Sequence, residues 1–534
     1  MRTLPSRSTA RRSGRTFVVT LAALIVTLAL VAPAAAAPGG AGFRTDRDAM
    51  LSMIAPGASA RPLLSVGDRL SSGYRFEAIP DGIAFRQRGQ GRVDVYVNHE
   101  TSTVPFPYDP TRATPSLNDF TDSLLSRLTL NRRSAGILAG DYAIGDEANY
   151  QRFCSNFLAG AAEGFDREIL FTNEEATDVV NREGTAWPAT PAFGSHPEQA
   201  GVVVAFDIQS RRYRTIYGMG RHNHENSVAI PGFEELVVLS GDDTFSAPAS
   251  QLYMYRAANA DDVWNDRGSL WAFKSDDPTV NDYGDLASNS SVSGTFIEVP
   301  RSVALGDQNA LETWSNQNGV FQFIRLEDIA YDRNHPNVVY MADTGEPRAV
   351  PGPGSAYMTR GGRTTTGPYM NGRIFRLELD TDDPDESATL SVLIDADAGG
   401  YNNPAALHQP DNLETTADSL LIQEDPGGHN QYSPTDAGGT TARIWRYDFE
   451  SEALTPVARV DQSQDPAARQ GNWESSGIID ASAAFGPGAF LVTVQAHSRF
   501  VETAPGPDLV APAGADWTYK REDGQLLLIR IPGA

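Results

Sequence analysis

Short runs of β-branched and aromatic residues, separated by turn residues, recur along nearly the whole chain, and no long stretch carries a 3.6-residue period. That pattern predicts strands rather than helices. One kind of run ends in polar or acidic residues. Examples are Arg92–Val97 into Asn98-His99-Glu100, Glu168–Phe171 into Asn173-Glu174-Glu175, Leu236–Leu239 into Asp242-Asp243, Val338–Met341 into Asp343, Leu420–Ile422 into Glu424-Asp425, and Phe490–Val494 into Gln495 and His497. A second kind follows a turn and alternates apolar with polar residues, as in Val202–Phe206, Ile374–Leu377 and Ile444–Tyr447.

A polar cluster leading into an apolar stretch precedes most runs of the first kind. These clusters are Cys154-Ser155-Asn156, His224-Glu225-Asn226, Arg325-Leu326-Glu327-Asp328, Asp411-Asn412 and Glu474-Ser475. A four-stranded unit whose innermost strand begins with the cluster accounts for the spacing. Six such units predict an all-β, six-bladed β-propeller, with the starts of the inner strands converging at one mouth of a central channel. The longer gaps, near 104–150, 245–320, 345–372 and 426–441, are expected to be insertions over that mouth.

Composition narrows the class. The 534 residues are 40% hydrophobic with 48 Gly and 34 Pro, too apolar for a disordered chain and too punctuated for a helical bundle. A net charge of −25 argues against nucleic acid or an anionic membrane as partner, and a single cysteine excludes an internal disulfide. The N-terminus reads as a signal peptide over residues 1–36. Five arginines precede an apolar run from Phe17 to Val31 and an alanine tract. The run is shorter than the about 20 residues of a membrane span. The Arg11-Arg12 pair leaves both the general secretory and the twin-arginine route open. Residues 37–534 are expected to form one exported, monomeric domain with no membrane contact.

At the channel mouth Glu100, Glu174, Glu175, Glu225, Glu327, Asp411 and Glu474 would converge. Crowded carboxylates raise one another's pKa unless cations neutralise them. Hard cations such as calcium take oxygens from acids and from amides such as Asn98, Asn156, Asn226 and Asn412. Cys154 adds a soft donor, suited to iron, copper or zinc; a small buried thiol is the plain alternative. Arg325 and Glu327, two apart on a strand, share a face. An arginine there suits a phosphate oxyanion, or else a salt bridge to Glu327 or Asp328. His222 and His224 read as a metal pair or as core histidines. No G-x-S-x-G occurs, which disfavours a serine hydrolase.

The chain resembles the PhoX-type alkaline phosphatases, exported bacterial propeller proteins, in six pieces that keep their order over about residues 90–500. These are Asn98-His99-Glu100; Cys154-Ser155 with Asn173-Glu174-Glu175; His224-Glu225; Arg325-x-Glu327; Asp411-Asn412 with Glu424-Asp425; and Glu474 ahead of Gln495. The resemblance implies hydrolysis of a small phosphate monoester at a cluster of ferric iron (Fe3+) and calcium (Ca2+). It implies Cys154, Glu100, Glu225 and Glu327 on iron, Glu174, Glu175, Asp411 and Glu474 on iron or calcium, and Arg325 on the substrate phosphate. A calcium-dependent lactonase or esterase, or a non-catalytic calcium-binding propeller, are the alternatives.

Overall fold

The computed structural model describes residues 40–100, 123–177, 179–180, 198–243, 250–345, 359–360, 363–364, 371–400, 403–425, 440–465, 472–505 and 518–534. The signal segment and most of the expected insertions at 345–372 and 426–441 lie outside these residues. Residues Ala37–Ala534 form one compact unit.

Antiparallel strands in a β-propeller-like arrangement make up the fold. Six strands lie innermost, each at one edge of its sheet: β1 (Pro80–Arg88), β2 (Phe153–Ala159), β3 (His224–Ile230), β4 (Leu326–Tyr331), β5 (Pro410–Thr415) and β6 (Glu474–Asp480). Each packs against its neighbours in chain order, and β6 returns to β1. The sheets of β1, β2 and β6 have four strands and that of β5 has five. The units of β3 and β4 are not separate. Ser291–Val299 pairs with Ser269–Ser275 on one side and Ala388–Asp395 on the other, merging them into one nine-stranded sheet. The stretch 245–320, expected as an insertion over the mouth, therefore supplies sheet strands and the helices Arg301–Ala304 and Gln308–Asn318. Likewise Leu124–Asn131 and Ile137–Ile144, inside the gap at 104–150, complete the first sheet.

Both ends of the described chain meet in the last two sheets. Leu51–Met53 adds to the outer edge of the β5 sheet, and Ser59–Ser65 pairs with Thr518–Arg530 in the β6 sheet. The core lies between sheets, in clusters such as the one that packs Leu63 and Leu64 with Val95, Leu128, Leu491 and Leu526.

One irregularity repeats in every inner strand. In β1 to β5 two residues oppose a single residue of the next strand, a β-bulge, and the pairs are Asp81-Gly82, Cys154-Ser155, Glu225-Asn226, Glu327-Asp328 and Asp411-Asn412. In β6 the register shifts at Gly477, so the corresponding pair is Ser476-Gly477. Gly477 has φ +45°, and a Cβ there would lie 2.4 Å from the Asp81 carbonyl oxygen. A bulge re-aims side chains and frees backbone groups. Here Asn98 Nδ2 takes up the Cys154 and Ser155 carbonyls (2.6 and 3.1 Å), and Asn173 Nδ2 also bonds Ser155 O (2.9 Å).

Leu64, fully buried opposite Leu526, ties the N-terminal strand into the last sheet. Leu64→Ala is expected to lower the unfolding free energy by about 2–5 kcal/mol. Ile54→Ala, at a site 45% exposed, should stay within about 0.5 kcal/mol. Urea unfolding of the two variants checks both values.

Candidate metal centre

The bulges set the site. The first residue of each pair belongs to a ring of side chains across the channel: Asp81, Cys154, Glu225, Glu327, Asp411 and Ser476. Two further carboxylates come from the residue just past the second strand of a sheet, Glu100 after His99 and Glu175 after Glu174. Together they form three overlapping groups whose donor atoms lie within 4.8 Å of one another: Asp81, Glu100 and Cys154; Cys154, Glu175 and Glu225; Glu225, Glu327 and Asp411. All seven residues are buried. Cys154 Sγ is 2.8 Å from Asp81 Oδ2 and 3.0 Å from Glu225 Oε1.

Burial without compensation shows in the acidities. Burial and the charge of Asp81 push Glu100 up to about 8. Burial, then neighbouring charges, also raise Asp81, Glu175, Glu225, Glu327 and Asp411 above the usual carboxylate range. Burial pushes the Cys154 thiol well up, and the carboxylates of Asp81 and Glu225 push it further. Asp411 Oδ1 is buried with no hydrogen-bond partner. Seven deprotonatable donors in overlapping triads, one of them with an orphaned oxygen, fit multivalent cations bridged by shared ligands.

Six of the eight residues expected as metal ligands fall in these groups: Glu100, Cys154, Glu175, Glu225, Glu327 and Asp411. Glu174 does not. It pairs across the sheet with Phe153, so its carboxylate turns into the sheet package and accepts from the backbone N–H of Gln151 (2.8 Å) and Val202 (3.3 Å). Asp343 and Glu424 hold the same position in their sheets and likewise accept from backbone N–H groups. In these three sheets one strand-end acid is thus structural. Glu474 also falls outside the groups, because the β6 bulge lies at Ser476-Gly477 and puts Glu474 two residues before the ring. It meets His497 instead, 3.5 Å from Nε2, and His497 reaches Glu522 at 3.2 Å on its other side. Burial opposes protonation of His497, but these two carboxylates raise its pKa well above the usual value.

Arg325 stands in the same preceding layer, two residues before Glu327. Its guanidinium makes a bidentate contact with Asp243 (2.8 and 2.7 Å) and reaches Glu327 Oε1 at 2.8 Å. The charges of these acids overcome the effect of burial and hold it protonated. Its contacts are those of a group that orients Glu327. His222 and His224 stack on one another, ring centres 3.6 Å apart, and His222 stacks on Tyr253. They are core histidines. Asp81 is the member of these donor groups that the sequence reading does not include. The signal was present: the first unit also needs an inner strand ahead of Asn98, and Pro80-Asp81-Gly82 begins it.

The second residues of the bulge pairs form a floor beneath the ring. Ser155, Asn226, Asp328 and Asn412, with Asn156 next to Ser155, face a cavity of about 250 Å3 on its far side.

Neither the family models nor the curated proteins compared with this sequence match it. Among solved structures, the NanB sialidase of Streptococcus pneumoniae aligns over 88% of this chain and 70% of its own, with 7% identity and a TM-score of 0.37. A protein of unknown function from Dyadobacter fermentans aligns over 89% of this chain and all of its own, with 8% identity and a TM-score of 0.40. A 6-phosphogluconolactonase-like protein from Bacteroides fragilis aligns over 72% and 85%, with 11% identity and a TM-score of 0.31. Likenesses this distant carry no conclusion about the chemistry of this chain.

The raised carboxyls give the metal-free protein a definite pH dependence. Unfolded, Glu100 loses its proton near the ordinary 4.5; folded, it keeps it to about 8. Between those values the folded state binds more protons, so stability falls as pH rises. Thermal melts of chelator-treated protein should therefore show a melting temperature that drops from pH 5 to pH 8.5. Added divalent cation should abolish the drop.

Proposed function

We propose that this protein is an exported, metal-dependent phosphomonoesterase of PhoX type, built on a six-bladed propeller in which the nine-stranded sheet counts as the third and fourth blades. The observation that carries the reading is the chain of three buried donor triads linked through Cys154 and Glu225. The two triads that contain the thiol suit iron; the all-carboxylate triad Glu225, Glu327 and Asp411 suits calcium. The reaction class comes from the ordered motifs that resemble the PhoX-type phosphatases.

Ferric iron and calcium bound in these triads supply positive charge and Lewis acidity for the oxygens of a phosphate ester. The chain's own residues prepare the site. Ser155 Oγ donates to Glu225 Oε1 at 3.0 Å, and Gln495 Nε2 donates to Glu100 Oε1 at 3.1 Å, fixing two of the carboxylates. Arg325, held by Asp243, positions Glu327. Apart from Cys154, which the triads take as a ligand, no side chain in the ring is a strong nucleophile. Water attack at phosphorus therefore fits the site better than a covalent enzyme intermediate. The leader reading belongs to the proposal, since the compact unit begins at Ala37, where the expected signal peptide ends. Among the described residues no helix is long and apolar enough to cross a membrane.

Metal analysis and a visible absorption spectrum of protein purified without chelator test the reading. Iron together with calcium is expected, with an absorption band that Cys154→Ala abolishes. That variant should lose more than the about 10–100-fold typical of an outer-shell change, measured as kcat/KM on p-nitrophenyl phosphate. Calcium without iron, with turnover of a lactone and none of the phosphate ester, would replace this reading with the calcium lactonase.

A further inference from the structure

Beneath the donor triads, side chains from five inner strands close into a single hydrogen-bonded loop. Cys154 Sγ touches Asp81 Oδ2 and Glu225 Oε1 at 2.8 and 3.0 Å. Glu225 Oε1 accepts from Ser155 Oγ (3.0 Å), and Ser155 Oγ lies 3.2 Å from Asn412 Nδ2. Asn412 Oδ1 is 3.2 Å from Ser476 Oγ, which also bonds Asp81 Oδ1 and so completes the circuit. Asn412, in β5, has one neighbour in β2 and the other in β6, so it spans the channel floor.

The direction of the hydrogen bonds is determined. The backbone N–H of Gly477 points at Asn412 Oδ1 at 3.0 Å, and an N–H can only donate. The amide oxygen must therefore face β6 and the amide nitrogen must face Ser155. Ser155 Oγ then accepts from Asn412, and its single proton is left for Glu225. On the other side the single Ser476 proton is shared between two acceptors, Asp81 and Asn412 Oδ1, so the directed relay runs through Ser155. Asn412 is buried, lines the cavity below and points no atom at the triads through these contacts.

We infer that Asn412 is a positioning residue rather than a cation ligand: it donates to Ser155 Oγ, fixes that hydroxyl as the donor to Glu225, and so sets a carboxylate that flanks Cys154. This rests on the metal-centre reading above. The sequence offered Asn412 as one more oxygen ligand. The bulge instead assigns it to the floor, one residue past the ligand Asp411. Outer-shell partners of this kind commonly cost about 10–100-fold in metal affinity when lost.

The test is a double-mutant cycle on the metal-loaded protein. Asn412→Asp keeps the shape and removes the donor; Ser155→Ala removes the hydroxyl that relays it. Metal retained against increasing EDTA is measured by atomic emission, with the visible band recorded and the metal-free melting temperature as a fold control. Each single variant should release metal about 10–100-fold more readily and shift the band, with the metal-free melt little changed. The double variant should be no worse than the weaker single one, because the two residues act in series. Additive losses, or retention equal to wild type in Asn412→Asp, would overturn the inference. Should Asn412→Asp not fold, Ser155→Ala alone decides, since unchanged retention there breaks the relay. A wild-type protein that holds no metal would instead remove the metal-centre reading itself.

Discussion

Crowding six carboxyl groups and a thiol into one buried ring is the constraint on which the rest of the architecture depends. Desolvation and mutual repulsion both disfavour the charged forms, and together they raise every acid in the triads. A fold can hold such a ring only if its backbone is over-determined by the surrounding sheets, and if cations or protons offset the charge. Both conditions have visible counterparts. Each donor is mounted on an inner strand or immediately past a second strand, and the donors overlap so that neighbouring groups share Cys154 and Glu225.

The β-bulge lets one sheet edge present polar side chains to two different levels of the channel. In a regular strand, adjacent residues face opposite sides of the sheet. Two residues placed opposite one break that alternation, so the first joins the ring and the second joins the floor. At Cys154 and Ser155 the carbonyls released by the bulge are taken up by Asn98 of the preceding sheet. Neighbouring sheets are therefore held together by polar bonds at the mouth as well as by apolar packing between their faces.

Much of this was legible in the sequence. The alternation of short apolar runs with acidic strand ends gave the all-β class, and the strand-start clusters located five of the six inner strands. What the letters could not resolve was register. Glu174 and Glu175 are identical in kind and adjacent, yet pairing with Phe153 sends one into the sheet package and leaves the other for the ring. Glu474 looked equivalent to Glu225 and Glu327, but the shift at Gly477 moved the ring position to Ser476. Asp81 was passed over because Pro80-Asp81-Gly82 has the composition of a turn. The ion pair of Arg325 with Asp243 is not legible in the letters, because Asp243 is distant in sequence and adjacent only in the fold.

The placement of Ser59–Ser65 and Leu51–Met53 has a consequence for synthesis. Both are made among the earliest residues of the compact unit, yet their partners are Thr518–Arg530 and Leu454–Val460, among the last. Until those partners have been made, the early strands have no native edge to join. The nascent chain thus carries unsatisfied β-edges through most of its elongation, the condition under which strands pair with the wrong molecule. A chain cut before Thr518 therefore also leaves Ser59–Ser65 without its partner strand.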